Sequence, residues 1–398
     1  MADWQRTIDG YIDELAQGLV AIRRGLHSHP ELSGMEFETT RYLAERLRAH
    51  RLEPEIPDTG RGILVDGGDP GAPRIAMRGD MDALPLQDEK DVSYRSTREG
   101  VTHACGHDAH ATMLLAATLT LHACAEQLPW PLAWRGIFQP AEETTEGAAE
   151  MIGAGAMEGV DAIIALHVDP ERVLGQIGVR YGHLTATCEE LEVVVHGTGG
   201  HAARPHHTQD AIAIATQFVN AVYQFIPRSV DSRDPVVVTF GMIQGGANAN
   251  VIPERVRLMG TIRTMGGTTS SRVRERILAI AHGLSEASQA HVSVRFSAGA
   301  RSVINDPAVT SACAAAAEAL VGPSMIEQIE LPSMGAEDFS DFLEQAPGCM
   351  LRLGTRSGPE TAHFLHSPHF DLDERALALG TKLLVHAALE LANPKRRA

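Results

Sequence analysis

Ile8, Ile12, Leu15, Leu19, Ile22 and Leu26 recur every three or four positions, the stripe of an amphipathic helix, and Pro30 marks its end. A second helix is expected to carry Phe37, Leu43 and Leu47. Short β-type runs at 62–65 and 74–78 follow, separated by Gly/Pro turns. The pattern then alternates: helix over 109–126, strand over 132–138, helix over 146–157, and a buried strand over 161–167. Strands alternating with helices predict an α/β unit with a mixed, mainly parallel sheet.

The character changes near Thr185. Leu191, Val193 and Val195 alternate with polar neighbours, as a half-buried strand does. A helix over 209–223, strands over 236–243 and 255–263, a helix over 271–288 and a strand over 291–296 complete a small α+β set. After about Ala300 helices and short strands return, and a last helix over 374–391 needs the first unit to pack on. The expectation is a discontinuous domain, 1–185 and 300–398, interrupted by an insert, 186–299.

Composition narrows the function. The chain has 398 residues, 44% of them hydrophobic and 21% charged, enough apolar material for more than one core. A net charge of −17 repels phosphate backbones and anionic lipids, which argues against nucleic-acid and membrane-surface roles. No apolar run reaches the length of a membrane span, and the N-terminus lacks the pattern of a secretory signal. Five cysteines without CxxC spacing fit a reducing cytoplasm rather than a disulfide framework. The 19 histidines are unusual, because several sit beside acidic residues in Gly- or Pro-rich stretches.

Those stretches carry the candidate chemistry. In HACGHDAH (103–110), Cys105 and His107 are two apart, so thiolate and imidazole can meet one zinc-like ion. The same pair could instead form a cysteine nucleophile and its base. In QPAEET (139–144), directly after a strand, one of two adjacent carboxylates can bind a cation while the other acts as general base. His167 ends an apolar strand, Asp80 and Asp82 stand in GDMDALP (79–85), and LHSPHFD offers His366, His369 and Asp371. Asp80 and Asp82 could ligate an ion or accept a ligand imidazole's second N–H.

In order along nearly the whole chain, these motifs resemble those of the aminoacylase/carboxypeptidase superfamily of co-catalytic zinc peptidases, in its amidohydrolase branch. That branch includes hippurate hydrolases, indole-acetyl-amino-acid hydrolases and N-acetyl-diaminopimelate deacetylases. The resemblance also rests on LHSHPELSGMEFET (26–39), GGHAARPH (199–206), GGANANVIP (245–253), GTIRT (260–264) and GAEDFS (335–340). It implies a zinc-peptidase-like catalytic domain, an inserted dimerisation (lid) domain, and metal ligands Cys105, His107, Glu143, His167 and His366. Cys105 would bridge two divalent ions, with Glu142 the general base and Asp82 its support. Asp80, where relatives with other ligand sets have a histidine, is not taken as a ligand. His201, Asn250 and Arg263 match positions that bind substrate, with His201 reaching across a homodimer. Ala109, where a Gly is usual, and Asp169, where an aromatic is common, depart from the pattern.

The expected function is metal-dependent hydrolysis of N-acyl amino acids or related small amides, with Zn, Mn, Ni or Co as the ion. Hydrolysis of another C–N bond (dipeptide, carbamoyl or aryl-amine) on the same site is the first alternative. A Cys105/His107 cysteine hydrolase is a distant one, since it leaves Glu143, His167 and His366 without a role.

Overall fold

The computed structural model describes residues 3–397. Two compact units emerge. The first contains the chain up to Leu184, residues 303–331, and the chain from Glu337 on; the second contains residues 185–302 and 332–336.

The first unit opens with α1 (Asp3–Ser28) and α2 (Phe37–Ala49), followed by β1 (Ile63–Gly68) and β2 (Arg74–Asp80). Next come α3 (His107–Ala123), β3 (Ala133–Gln139), α4 (Gly147–Gly153), β4 (Ala162–Val173), β5 (Ile177–Val179) and the short β6 (Gly182–His183). Every residue of α3 from His107 to Leu121 is buried, which fits a helix that is apolar nearly all round. It starts at His107 rather than 109 because Gly106, at φ 87°, turns the chain into the helix two residues earlier. α4 stops short of the expected Met157: a turn with Gly155 at φ 89° follows it. β4 runs past the expected end at His167 because its ladder continues to Val173, opposite Arg356.

The second unit holds β7 (Thr187–His196), the pair β8 (Gly200–His201) and β10 (Val251–Ile252), α5 (Ala211–Ser229), β9 (Val236–Gly245), β11 (Arg255–Thr264), α6 (Gly267–Ser288) and β12 (His291–Ala298). Its antiparallel sheet has the order β12-β7-β11-β9. Leu191, Val193, Val195, Val256 and Leu258 point from the strands into a core shared with Phe218 and Val222 of α5 and Val273 and Ile277 of α6. Asp210 caps α5 by accepting from the Ile212 and Ala213 N–H groups. Residues 300–302 and 332–336, expected in the closing part of the discontinuous domain, group with this unit instead. Thr185 bridges Ser333, and the Ala186 N–H donates to the Gly335 carbonyl at 3.2 Å.

The chain returns to the first unit through β13 (Ile304–Asn305), which pairs with β6, then α7 (Pro307–Val321), β14 (Ile326–Gln328), α8 (Phe339–Leu343), β15 (Gly348–Arg356), α9 (Arg375–Ala392) and α10 (Pro394–Arg397). The large sheet has the order β1-β3-β2-β4-β15-β5-β14. Pairings from β3 through β2 and β4 to β15 are parallel, while β1/β3 and β15/β5 are antiparallel, so the sheet is mixed and mainly parallel as expected. Its central strands are buried on both faces, which is why β4 reads as a continuous apolar run. α9 packs on α1, α3 and α7.

A buried ionic cluster locks these helices together. Arg23 of α1, wholly buried, donates through Nε to Asp108 at 2.9 Å and through Nη2 to Asp371 at 2.8 Å. His27 Nδ1 meets the same Asp108 at 2.6 Å, and Lys90 Nζ lies 2.7 Å from His27 Nε2 while donating to the Phe370 carbonyl at 2.8 Å. The cluster thus ties α1 to the start of α3 and to the loop before α9. Removing one member strands the others, a loss of roughly 3–5 kcal/mol for a buried pair. Arg23→Ala is therefore expected to lower the unfolding free energy by about that much in urea melts; a midpoint unchanged from the parent would refute this role.

Candidate metal centre

Several of the chemically equipped side chains stand at the carboxyl ends of neighbouring parallel strands, where open α/β sheets place their ligand crevices. Asp80 ends β2, and Asp82 follows two residues later. β3 ends at Gln139 and leads into a turn carrying Glu142 and Glu143. His167 lies within β4, Cys105 and His107 flank the Gly106 turn into α3, and His366 sits in the loop between β15 and α9. The glutamate turn is strained: Ala141 has φ 52° and Thr145 φ 57°, a left-handed conformation that costs a non-glycine residue roughly 1–2 kcal/mol. His366 has φ 63°, and its N–H donates to the Ala104 carbonyl at 2.7 Å, which holds this distant loop beside Cys105.

The five expected ligands and Glu142 come together. Donor atoms of Cys105, His107 and His167 lie within 4.8 Å of one another, as do those of Cys105, Glu143 and His366, and those of His107, Glu142 and Glu143. Cys105 belongs to two of these sets. Its Sγ is 3.6 Å from His167 Nε2, and His366 Nε2 is 3.3 Å from Glu143 Oε1.

Asp82 orders this geometry. One carboxylate oxygen accepts from His107 Nδ1 at 3.0 Å, and the other accepts from the Glu143 N–H at 3.0 Å and the Ser33 hydroxyl at 2.7 Å. With its proton on Nδ1, His107 turns the Nε2 lone pair inward. His167 does likewise, donating from Nδ1 to the Val168 carbonyl at 2.7 Å. His107 Nε2 and Glu143 Oε1 are buried without a hydrogen-bond partner. Inward lone pairs, orphaned buried acceptors and a thiol form a donor set that fits zinc or another first-row dication.

The charges agree with that fit. Burial pushes the Cys105 thiol up to about 12. Burial also raises Glu142, and the negative charges of Glu337 and Asp338 raise it further. His167 is held well below the usual imidazole range by burial, with Arg352 adding to the effect. Glu143, His167 and His366 crowd the Cys105 thiol, which counts against the cysteine-hydrolase alternative.

Two neighbouring clusters are already saturated. Asp80 accepts from His110 Nδ1 at 2.6 Å and from Arg78, while His110 Nε2 accepts the Val168 N–H at 2.9 Å. Asp80 therefore supports His110 rather than facing an ion. Arg78, buried beside Glu337 and Asp338, donates to them at 2.9 and 3.0 Å and to Gln139 at 2.7 Å. Of the other candidates in LHSPHFD, Asp371 belongs to the Arg23 cluster and His369 is exposed 3.4 Å from Glu89.

The three expected substrate residues lie in the second unit. His201 and Asn250 are exposed neighbours: His201 pairs with Val251, and the Asn250 carbonyl accepts the Ala202 N–H at 3.1 Å. Arg263, on β11, donates from Nη1 to the Met334 carbonyl at 2.7 Å. Supports that sequence reasoning did not assign include Ser33, Glu36, Arg78, His110, Glu337 and Asp338. Several fall inside motifs already noted, LHSHPELSGMEFET and GAEDFS, but a lone Ser or Glu there carries no spacing signal of its own.

Residues 76–390 fit the profile described as Peptidase family M20/M25/M40. The chain is 42% identical over 375 residues to a protein of Synechocystis sp. named a probable hydrolase, covering 93% of this chain and 94% of that protein. It is 38% identical over 372 residues to N-acetyldiaminopimelate deacetylase of Priestia megaterium, covering 92% and 97%. The crystal structure of the YXEP protein of Bacillus subtilis, described as a dinuclear metal-binding peptidase of the M20 family, superposes with a TM-score of 0.83 at 31% identity, covering 96% and 99%. The chain belongs to peptidase family M20/M25/M40 and is a metal-dependent hydrolase of C–N bonds.

Proposed function

We propose that the chain hydrolyses the amide bond of N-acyl amino acids at this centre. Cys105, His107, Glu143, His167 and His366 would hold two divalent cations. The observation that carries the reading is the overlap of two donor sets on Cys105, with Glu142 in a third set alongside. Relatives named N-acetyldiaminopimelate deacetylase and N-acetylcysteine deacetylase make N-acetyl amino acids the first substrates to test.

Bound cations supply Lewis acidity, which polarises the amide carbonyl and lets water ionise near neutral pH. Glu142 takes the proton of the attacking water and returns it to the departing amine nitrogen. Asp82 keeps His107 in the tautomer that offers Nε2. Arg263 and Asn250 hold the substrate carboxylate, Arg263 with the donors that Met334 leaves free. His201 donates to the carbonyl oxygen from a second subunit, an interaction worth about 3–4 kcal/mol for a pre-placed donor.

The homodimer reading is supported by β9, an edge strand with Val237 and Ile243 exposed, and by Tyr223 and Phe225 on α5. An exposed apolar edge of this kind favours pairing with another chain. No helix among the described residues is long and apolar enough to cross a membrane. We place the enzyme in the cytoplasm because its five cysteines are all free.

Glu142→Gln is expected to keep the parent metal content and to lose turnover by about 10²–10⁴-fold or more; parent-like kcat in that variant would sink the base assignment. Metal uptake should tighten with pH. The metal-free Cys105 thiol is protonated at neutral pH because burial holds it near 12, and His107, held up by Asp80 against its burial, adds a second proton. Loading must expel these protons, so log K for zinc should rise by about one to two per pH unit between roughly pH 6 and 8. Competition titrations with a chelator check this, and a flat profile would contradict thiolate ligation. Finally, inactive His201→Ala and Glu142→Gln chains, mixed and re-equilibrated, should recover part of the activity; mixtures as inactive as their parents would exclude the cross-subunit role.

A further inference from the structure

Glu36 lies at the start of α2, outside every donor set, with its side chain fully buried. One oxygen, Oε1, accepts two backbone N–H groups, from Gly34 at 2.9 Å and from Ala141 at 2.8 Å. The other, Oε2, is buried without a hydrogen-bond partner; the Arg61 guanidinium is 3.9 Å away and is engaged with Glu150 at 2.7 Å. Burying a carboxylate with an orphaned oxygen is unfavourable, so the contact that Oε1 makes calls for an explanation.

Ala141 supplies one. It immediately precedes Glu142 and Glu143, and it holds the left-handed conformation from which both side chains depart. Both of its backbone groups are pinned: the N–H by Glu36, and the carbonyl by the N–H groups of Glu146 and Gly147 at 3.3 and 3.1 Å. The same short segment also reaches the other support of the centre. Ser33 donates to Asp82, and Leu32 bridges Ala83.

We infer that Glu36 is a positioning residue, holding the Ala141 N–H through Oε1 and thereby fixing the strained turn that presents Glu142 and Glu143. This rests on the roles proposed above for those two glutamates. Glu36 reaches neither of them; it acts through the backbone between strand and turn. Release of the Ala141 N–H lets that residue relax out of the left-handed region, which redirects both carboxylates. A displacement of about 1 Å at a reacting group is enough to cost about 10²-fold in rate.

The test uses full-length, metal-loaded enzyme in three variants: Glu36→Gln, Glu36→Ala, and Glu36→Ala combined with Ala141→Gly. The readouts are kcat and KM on N-acetyl amino acids, and amide hydrogen exchange over residues 137–147. Glu36→Gln keeps an oxygen acceptor and is expected to hold kcat within about threefold, with exchange unchanged. Glu36→Ala is expected to lose about 30- to 100-fold in kcat at near-parent KM, with exchange rising at the 141 turn and not in α3 or β4. Glycine adopts positive φ without steric cost, so Ala141→Gly should recover part of the loss, which filling the space left by Glu36 has no reason to do. Parent-like kcat and exchange in Glu36→Ala would overturn the inference, as would a Glu36→Gln enzyme as damaged as Glu36→Ala. Where Glu36→Ala does not fold, Glu36→Gln alone decides by the same two readouts. If Glu142→Gln proves active, the base assignment fails by itself, and exchange at the 141 turn still tests Glu36.

Discussion

Crowded, buried carboxyl groups that the chain neutralises only in part are the constraint on which the rest of the first unit depends. Asp80, Asp82, Glu142, Glu337 and Asp338 are all buried, and Glu143 lies beside them. Two like charges about 4 Å apart repel by about 4 kcal/mol at the effective dielectric of such a site. Arg78 answers Asp80, Glu337 and Asp338. Among the described residues no lysine or arginine makes an ion pair with Glu142 or Glu143. The fold concentrates acceptors at one place and leaves part of their counter-charge to come from outside the chain.

Much of this was legible in the sequence because it rested on local patterns. Period and turn residues foretold α1, α2, β2, β3 and α9 to within a few residues, and the insert's alternation of strands and helices was visible from Thr185. The donor cluster was legible because its members sit in short motifs of unusual composition: the two glutamates follow a predicted strand, His167 ends one, and Cys105 and His107 precede a predicted helix. Where bounds differed, a long-range cause was responsible: β4 outran its apolar stretch because β15, far along the chain, continued to pair with it.

The supports were not legible for a related reason. Whether a glutamate holds a cation, a backbone N–H or only water depends on what the fold brings to it. Glu36 and Glu143 are the same residue type, yet one grips a turn and the other faces the donor cluster. Asp371 and His369, equally plausible in sequence, separate into a buried salt cluster and an exposed loop. The regrouping of 332–336 with the second unit rests on single bridges and hydrogen bonds such as Ala186 to Gly335, for which no periodicity exists.

The strand order has a consequence for synthesis. β15 lies in the interior of the large sheet, between β4 and β5, although it is the last strand of that sheet to be made. A nascent chain that has reached the end of the insert owns β4 and β5 but not the strand that belongs between them, so its sheet stays open with two unsatisfied edges. All four strands of the second unit's sheet, by contrast, lie between Thr187 and Ala298, interrupted by α5, α6 and the short β8 and β10, and they can close while the ribosome is still working. The unit that carries the glutamates and Cys105 thus waits longest for its final form. Premature termination before about residue 348 would leave an exposed, apolar β-edge, the kind of surface that recruits chaperones or aggregates.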